Sequence, residues 1–431
     1  MSASLIVPGE DRNRWLIDEL SSVNSRLSQA DREDKFAVMS KSVTAFYRAS
    51  AQLYWHDLGR SPLLKPFGAP DTCAWLCGDL HLGNLGSFHD ADDQVIFDIN
   101  DFDEVVIADY QLDLWRLCVS IILTVQAQDR PVQSPQQMVA ACVRGYLETM
   151  KACRKRPHEA KLPLTQEHAS GVLRRFLAAV EADRSRQRML DDWTTSGPHG
   201  SVLAVHENRN LALPTHAILE DIAAAIRDYA KRQATALRRH RGPHLISIAT
   251  RLHAGLGAYG LNRYYVLLER PARDGLMLLD LKRQPDPSPW PYLPKALRRQ
   301  TDKACNGDSA KRTVLGQRHL GVRTDPFLGA IQLAGAGYSV RERSPWKAAL
   351  PDADLDGACA EQIGALVARA HARANDDLPA ALQERIHGDK DRFVEYTWDV
   401  AVAYAGQVAA DWRLFRSRLR QRTLALVADR R

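Results

Sequence analysis

Two short polar islands hold the side chains of this chain that are best placed for chemistry. The first reads Gly78-Asp79-Leu80-His81-Leu82-Gly83-Asn84. The second, Asp98-Ile99-Asn100-Asp101-Phe102-Asp103-Glu104, follows the apolar run Val95-Ile96-Phe97. Carboxylates this close together repel one another, so a strand that ends in such a cluster usually positions a cation or a proton acceptor. A polar loop with Asx turns between two strands is the plainer reading. The spacing argues for chemistry. Phosphoryl transfer needs a carboxylate to take the hydroxyl proton, then an Asn and a second carboxylate to hold magnesium against the phosphates. Asp79 and Asn84 stand in the first two places, and Asp98, Asp101 and Asp103 all stand near the third.

A second constellation lies far downstream. Gly255-Leu256-Gly257-Ala258-Tyr259-Gly260 precedes two strand-like runs, 264–268 and 276–281, joined by a Pro/Asp/Gly turn, and the second run ends on Lys282. A GxGxxG before a helix would suggest a dinucleotide site. Before a hairpin with a lysine on its second strand, it is the arrangement of a kinase Gly-rich loop. There backbone amides cover the phosphates and the lysine pairs with them. Gly255, Gly257, Gly260 and Lys282 are therefore the candidate nucleotide cradle. A structural hairpin with a Gly-rich entry is the competing reading.

The 77–116 stretch resembles the protein-kinase-like superfamily in its aminoglycoside- and choline-kinase-like branch. That branch carries a GDxHxxN loop, a strand, then an Asp followed by a helix-opening Asp-Leu. Gly78-Asp79-Leu80-His81-Leu82-Gly83-Asn84 matches the loop, with Cys77 where a His is common. Asp101, Ala108-Asp109 and Asp113-Leu114 match the downstream acids. The resemblance implies Asp79 as base, Asn84 and Asp101 as magnesium ligands, and ATP as the nucleotide, with Asp98 and Asp103 as second choices for the metal. It also implies that Asp113 ties down the catalytic loop, where by itself it reads equally as a helix cap. His81 is expected to brace that loop.

The order is reversed, because in ordinary kinases the cradle precedes the catalytic loop. The chain thus reads as a circularly permuted kinase-like fold, which is tolerable when termini lie close together at the surface. The helix expected at 309–320 lacks the Glu that orients a kinase lysine. Gln317 sits in its place, and Asp280, on the same strand face as Lys282, is the expected ionic partner. The whole chain also resembles an uncharacterised bacterial family of unknown function with kinase-like motifs. The marks include Ala45-Phe46-Tyr47-Arg48, Gly316-Gln317-Arg318, Val340-Arg341-Glu342, Ala370-His371-Ala372-Arg373 and Val402-Ala403-Tyr404-Ala405.

The elements that must position these groups follow from periodicity. Phe36, Met39, Val43, Phe46 and Tyr47 form a helical stripe within residues 10–60. A strand is expected at 73–77, helices at 112–125 and 136–151, short helices with exposed loops in the polar, irregular 155–213, and a long helix at 215–239. Strand-like stretches at 327–333 and 338–343 follow the 309–320 helix, and 357–374 and 391–427 read as helical. The fold expected is α+β: a two-lobe kinase-like architecture with a helical lobe at 1–245, a small antiparallel β lobe at 246–345, and hinge and helices at 346–431.

Composition sets the limits. The chain has 431 residues, 45% of them hydrophobic and 26% charged, with a net charge of +6. Its basic runs are not regularly interleaved with aromatics, which argues against a single-strand nucleic-acid groove. A basic balance suits an anionic partner such as a nucleotide. The seven cysteines include no CxxC pair, which fits a reducing cytoplasm rather than a disulfide framework or structural zinc. No apolar run reaches the ~18 residues of a membrane span.

The function expected is ATP- and magnesium-dependent phosphotransfer to a hydroxyl of a small molecule or protein. The alternatives are transfer of the AMP moiety by the same residues, or a nucleotide-binding pseudokinase or scaffold. GDLH also superficially resembles a metallophosphoesterase, but the further Asp-x-His and Asn-His needed for two metals are missing from the sequence.

Overall fold

The computed structural model describes residues 12–129, 133–198, 200–232, 244–252, 260–269 and 275–421. Its architecture is mixed α+β, with a large helical core beside a six-stranded antiparallel sheet. The helical core begins with α1 (Arg12–Val23), α2 (Gln29–Lys41), α3 (Val43–Arg48) and α4 (Ala51–Leu58). The apolar stripe read from the sequence buries Phe36, Met39, Phe46 and Tyr47 there.

At its centre runs α5 (Gln111–Gln126), buried on nearly every face. A helix hydrophobic all round belongs in the interior; α6 (Pro135–Lys155) and α14 (Lys390–Arg420) pack against it, and α12 (Gly357–Ala374) packs on α6. The α6–α12 crossing is close because glycines meet backbone. A Cβ on Gly364 would lie 1.9 Å from Cys142 O, and one on Gly145 would lie 2.1 Å from Glu361 O.

Two small ladders sit against this core. One pairs β1 (Cys73–Leu76) with β4 (Val106–Asp109). The other is the hairpin β2 (Leu85–His89) and β3 (Val95–Ile99). The large sheet is ordered β11 (Gly329–Leu333), β12 (Ala336–Glu342), β10 (Leu276–Arg283), β9 (Arg263–Glu269), β8 (Leu245–Arg251) and β7 (Leu211–Ala212). On β10, Lys282 lies opposite Arg263 of β9 and Ser339 of β12.

Residues 155–213 contain the short helices expected, and three strands that were not. They form α7 (Gly171–Asp183), α8 (Arg186–Trp193), the hairpin β5 (Thr194–Gly197) and β6 (Gly200–Leu203), and the edge strand β7. Short strands rich in Gly and Ser carry little periodic signal. Met189, Leu190 and Trp193 of α8 pack on one face of the sheet. Ile222, Ile226 and Tyr229 of α9 (His216–Arg232) pack on the other. The apolar side chains of α8 and α9 thus belong to the sheet's cores, not to the helical one. Between β10 and β11 run α10 (Lys295–Cys305) and α11 (Ser309–Leu320), and α13 (Leu378–Ile386) links α12 to α14. No described helix is long and apolar enough to cross a membrane.

Candidate active site

The two ladders explain why the polar islands meet. Leu76 pairs with Val106, so the Cys77–Asp79 segment leaves β1 where residues 103–105 enter β4. Leu85 pairs with Ile99, so Asn84 and Asn100 leave the same end of the second ladder, and Asn100 N donates to Asn84 O at 3.0 Å. Strand register thus brings Asp79, Asn84 and Asp101 to one place.

Gly78 makes the turn. Its φ is +79°, and a Cβ would lie 2.0 Å from Glu104 O, while its own carbonyl accepts from Trp55 Nε1 at 2.6 Å. Only glycine fits such a left-handed backbone against another chain segment. Gly78→Ala is expected to lower stability by about 1–3 kcal/mol from the backbone conformation alone. Thermal denaturation against wild type measures it, and an unchanged melting temperature refutes the tight-turn argument.

Asp79 is held from one side. Its Oδ1 accepts from Arg116 Nε at 2.6 Å and pairs with Nη2. Arg116 is wholly buried within α5 and lies over the Tyr47 ring at 4.3 Å and the Tyr54 ring at 5.1 Å. The Asp79 Oδ2 faces His81 Nε2 at 3.7 Å, a loose contact that leaves this oxygen able to accept a proton. Burial pushes the Asp79 carboxyl up to about 6, with Arg116 pulling the other way. Burial, reinforced by Arg116, pushes His81 well below its usual value, and its buried Nδ1 has no hydrogen-bond partner, so the bracing contact expected of it is not formed by that atom.

Asn84 Nδ2 donates to Asp79 O at 2.9 Å, which turns its amide oxygen away as an acceptor. Asp101 Oδ1 accepts from Asp103 N at 3.3 Å. Burial opposes ionisation of Asp101, but Lys282, Arg341 and Lys347 outweigh it and hold the carboxyl well below the usual carboxylate range. Asp98 faces elsewhere: its Oδ2 meets Arg373 at 3.5 Å and its Oδ1 accepts from Ile99 N.

The expected Lys282–Asp280 pair is not formed. Asp280 is taken by a two-pronged contact with Arg263, and Lys282 Nζ instead pairs with Asp103 Oδ2. A diagonal neighbour with a guanidinium fork wins the carboxylate. Asp103 Oδ1 also accepts from Gln284 Nε2 at 2.9 Å, and Gln284 Oε1 accepts from Thr313 of α11. The helix expected to orient the lysine therefore reaches it through Thr313, Gln284 and Asp103. Gln317 lines the neighbouring cleft and makes no hydrogen bond to Lys282. Gly255 and Gly257 lie outside the described residues. Gly260 has a φ of +70° and packs against Leu27.

Asp113 accepts from Cys77 N at 2.7 Å and Gly78 N at 3.0 Å, so it fastens the loop that carries Asp79. Behind it, His371 Nε2 lies 3.4 Å from Asp113 Oδ2, and the His371 Nδ1 meets the Tyr146 hydroxyl at 3.0 Å. Sequence reading missed His371, Arg116 and the roles of Asp103 and Glu104. Glu104 accepts from Ser288 N, and burial together with Asp79 pushes it up to about 7. A lone Arg in an apolar helix was the available signal for Arg116, because buried charge needs a partner.

No curated protein and no solved structure matches the chain. One family model does, over residues 30–418, and the chain therefore belongs to DUF2252, a family of uncharacterised proteins conserved in bacteria.

Proposed function

We propose that this site binds a nucleoside triphosphate with magnesium and transfers a phosphorus group to a hydroxyl of a small molecule or protein, on a kinase-like fold whose lobes are permuted in sequence. One observation carries the reading. Lys282, on the far sheet, pairs with Asp103 in the loop that carries Asp101, so the strand end proposed for the phosphates and the loop proposed for the metal meet although they lie far apart in the chain and in reverse order. Burial works against the Lys282 charge, but Asp101 and Asp103 raise its pKa, so the lysine stays an ammonium, for which a phosphate oxygen would compete with Asp103.

The donor set fits magnesium held partly by phosphate. The described residues offer the Asp101 carboxylate and the Asn84 amide oxygen, and among them no group of three or more His, Cys, Asp or Glu forms a cage. Magnesium is commonly bound by one or two carboxylates plus substrate phosphates and water. When bound, it would neutralise charge developing on the phosphates. Asp79 Oδ2 accepts the hydroxyl proton, Arg116 fixes the carboxylate, and Asp113 holds the loop in place.

The test is calorimetric titration of MgATP. Lys282→Ala is expected to weaken binding about 10- to 100-fold, the loss of one charge-assisted contact. Unchanged affinity ends the permuted-cradle reading. A second reading, a nucleotide-binding scaffold, is favoured by the Arg116 clamp on Asp79. It requires that nucleotide raise the melting temperature while Asp79→Asn leaves cellular function intact.

A further inference from the structure

Beyond Asp101 an open cleft runs between β12, the end of α11 and the β2–β3 hairpin, and it is lined by Arg263, Arg341, Arg343 and Lys347. Its acids are already satisfied. Asp280 is held by Arg263, Glu342 by Arg186 and His89, and Asp325 accepts from Phe327 N and Glu342 N. Three of the cations are not. Arg341 Nη1 donates only to the Asn100 carbonyl at 3.1 Å. Arg343 Nη1 donates to the Tyr265 hydroxyl at 3.0 Å and its guanidinium lies over the Trp193 ring at 4.9 Å, but its buried Nε has no hydrogen-bond partner. Among the described residues Lys347 has no hydrogen-bonded or ion-paired partner, and it is exposed to the cleft.

Phe88, Ile99, Phe102 and Val322 also line the cleft, yet a base seated there would desolvate the charged groups around it without repaying their hydrogen bonds, which is costly. On the Lys282 side of the sheet the other charged positions are Asp280, Arg263, Arg341, Arg343 and Arg251, the last lying over Trp193 at 5.0 Å. The apolar part of that face, Tyr265, Leu267 and Leu278, is already covered by Met189, Leu190 and Trp193, and Trp193 meets Tyr265 edge-on at 5.0 Å. Guanidinium forks and an unpaired ammonium suit phosphate oxygens instead. The charge is also continuous with the loop that carries Asp101, since Arg341 Nη1 donates to the carbonyl of the preceding residue, Asn100, at 3.1 Å.

We infer that this cleft takes the β- and γ-phosphates of the donor nucleotide, so that the α-phosphorus lies at Asp79 and Asp101 and the group transferred is the nucleotidyl. The inference rests on the nucleotide reading above. The acceptor hydroxyl oxygen bonds to the α-phosphorus as the bond from that phosphorus to the bridging oxygen breaks. Pyrophosphate leaves, and the hydroxyl proton passes to Asp79.

Two arms test it on the full chain. Without acceptor, slow hydrolysis of MgATP reports the bond broken: AMP and pyrophosphate are expected, while ADP and phosphate overturn the inference and leave phosphotransfer standing. In the binding arm, magnesium tripolyphosphate is expected to compete with MgATP. Lys347→Gln and Arg341→Ala are each expected to weaken both about 10- to 100-fold while leaving adenosine binding unchanged. Tripolyphosphate that binds without competing assigns the cleft to an anionic acceptor and overturns the inference. Because Lys347 is exposed, its variant keeps the fold, and Arg341→Lys is expected to restore part of the affinity. Absence of any MgATP binding breaks the function reading itself, a distinct outcome.

Discussion

Asp79→Asn is expected to leave MgATP bound and to lower turnover about 10²- to 10⁴-fold, the usual contribution of a positioned general base. The substitution is close to isosteric. An Asn oxygen still accepts from Arg116, whose guanidinium keeps its places over Tyr47 and Tyr54 and its bond to Tyr47 O. A thermal melt checks that the fold survives, and turnover within threefold of wild type removes Asp79 from the mechanism. Wild-type protein carries a second signature. The Asp79 carboxyl is raised by burial to about 6, and a base must be ionised to accept a proton. Activity is therefore expected to fall as pH drops through about 6 and to level off above it. The acid limb disappears from the residual activity of the Asn variant.

The parts of this site that could be read from the sequence are those encoded within one segment. The islands at 78–84 and 98–104 end strands, and strand ends with clustered acids announce themselves by composition. The roles of Asp103 and Arg116 depend on docking. Asp103 meets Lys282 across a seam where Arg312 of α11 bonds Val105 O and Arg341 of β12 bonds Asn100 O, contacts that seat α11 and the large sheet against the 100–105 loop. No spacing along the chain records that seating. Within the sheet, the Lys282–Asp280 expectation failed for a similar reason. Same-face residues two apart on one strand compete with cross-strand neighbours, and Arg263 from β9 has the longer, forked reach. The helices α11 and α12 were legible to the residue because each starts after an Asp that caps it, Asp308 and Asp356. The edge strand β7 has two residues and offers no period to read.

Asp101→Ala is expected to separate nucleotide binding from magnesium. In the wild type the carboxylate is the negative counterpart of Lys282, Arg341 and Lys347. Its removal takes away the carboxylate proposed to hold the metal and leaves three cations less neutralised. ATP without magnesium should then bind at least as tightly as before, and added magnesium should no longer improve affinity. Turnover is expected to drop about 10²- to 10³-fold, the cost of removing one preorganised electrostatic group from such a site. Titrations with and without magnesium decide it: an undiminished magnesium effect sinks the assignment of Asp101 as ligand and moves it to Asp103. Stability supplies an independent check with a defined sign. The folded-state pKa of Asp101 lies below the unfolded value of about 3.9, so its ionisation stabilises the fold above that pH and the contribution is lost as pH falls. The variant lacks that contribution, and the gap in melting temperature between it and wild type should be widest near neutrality and narrow in acid.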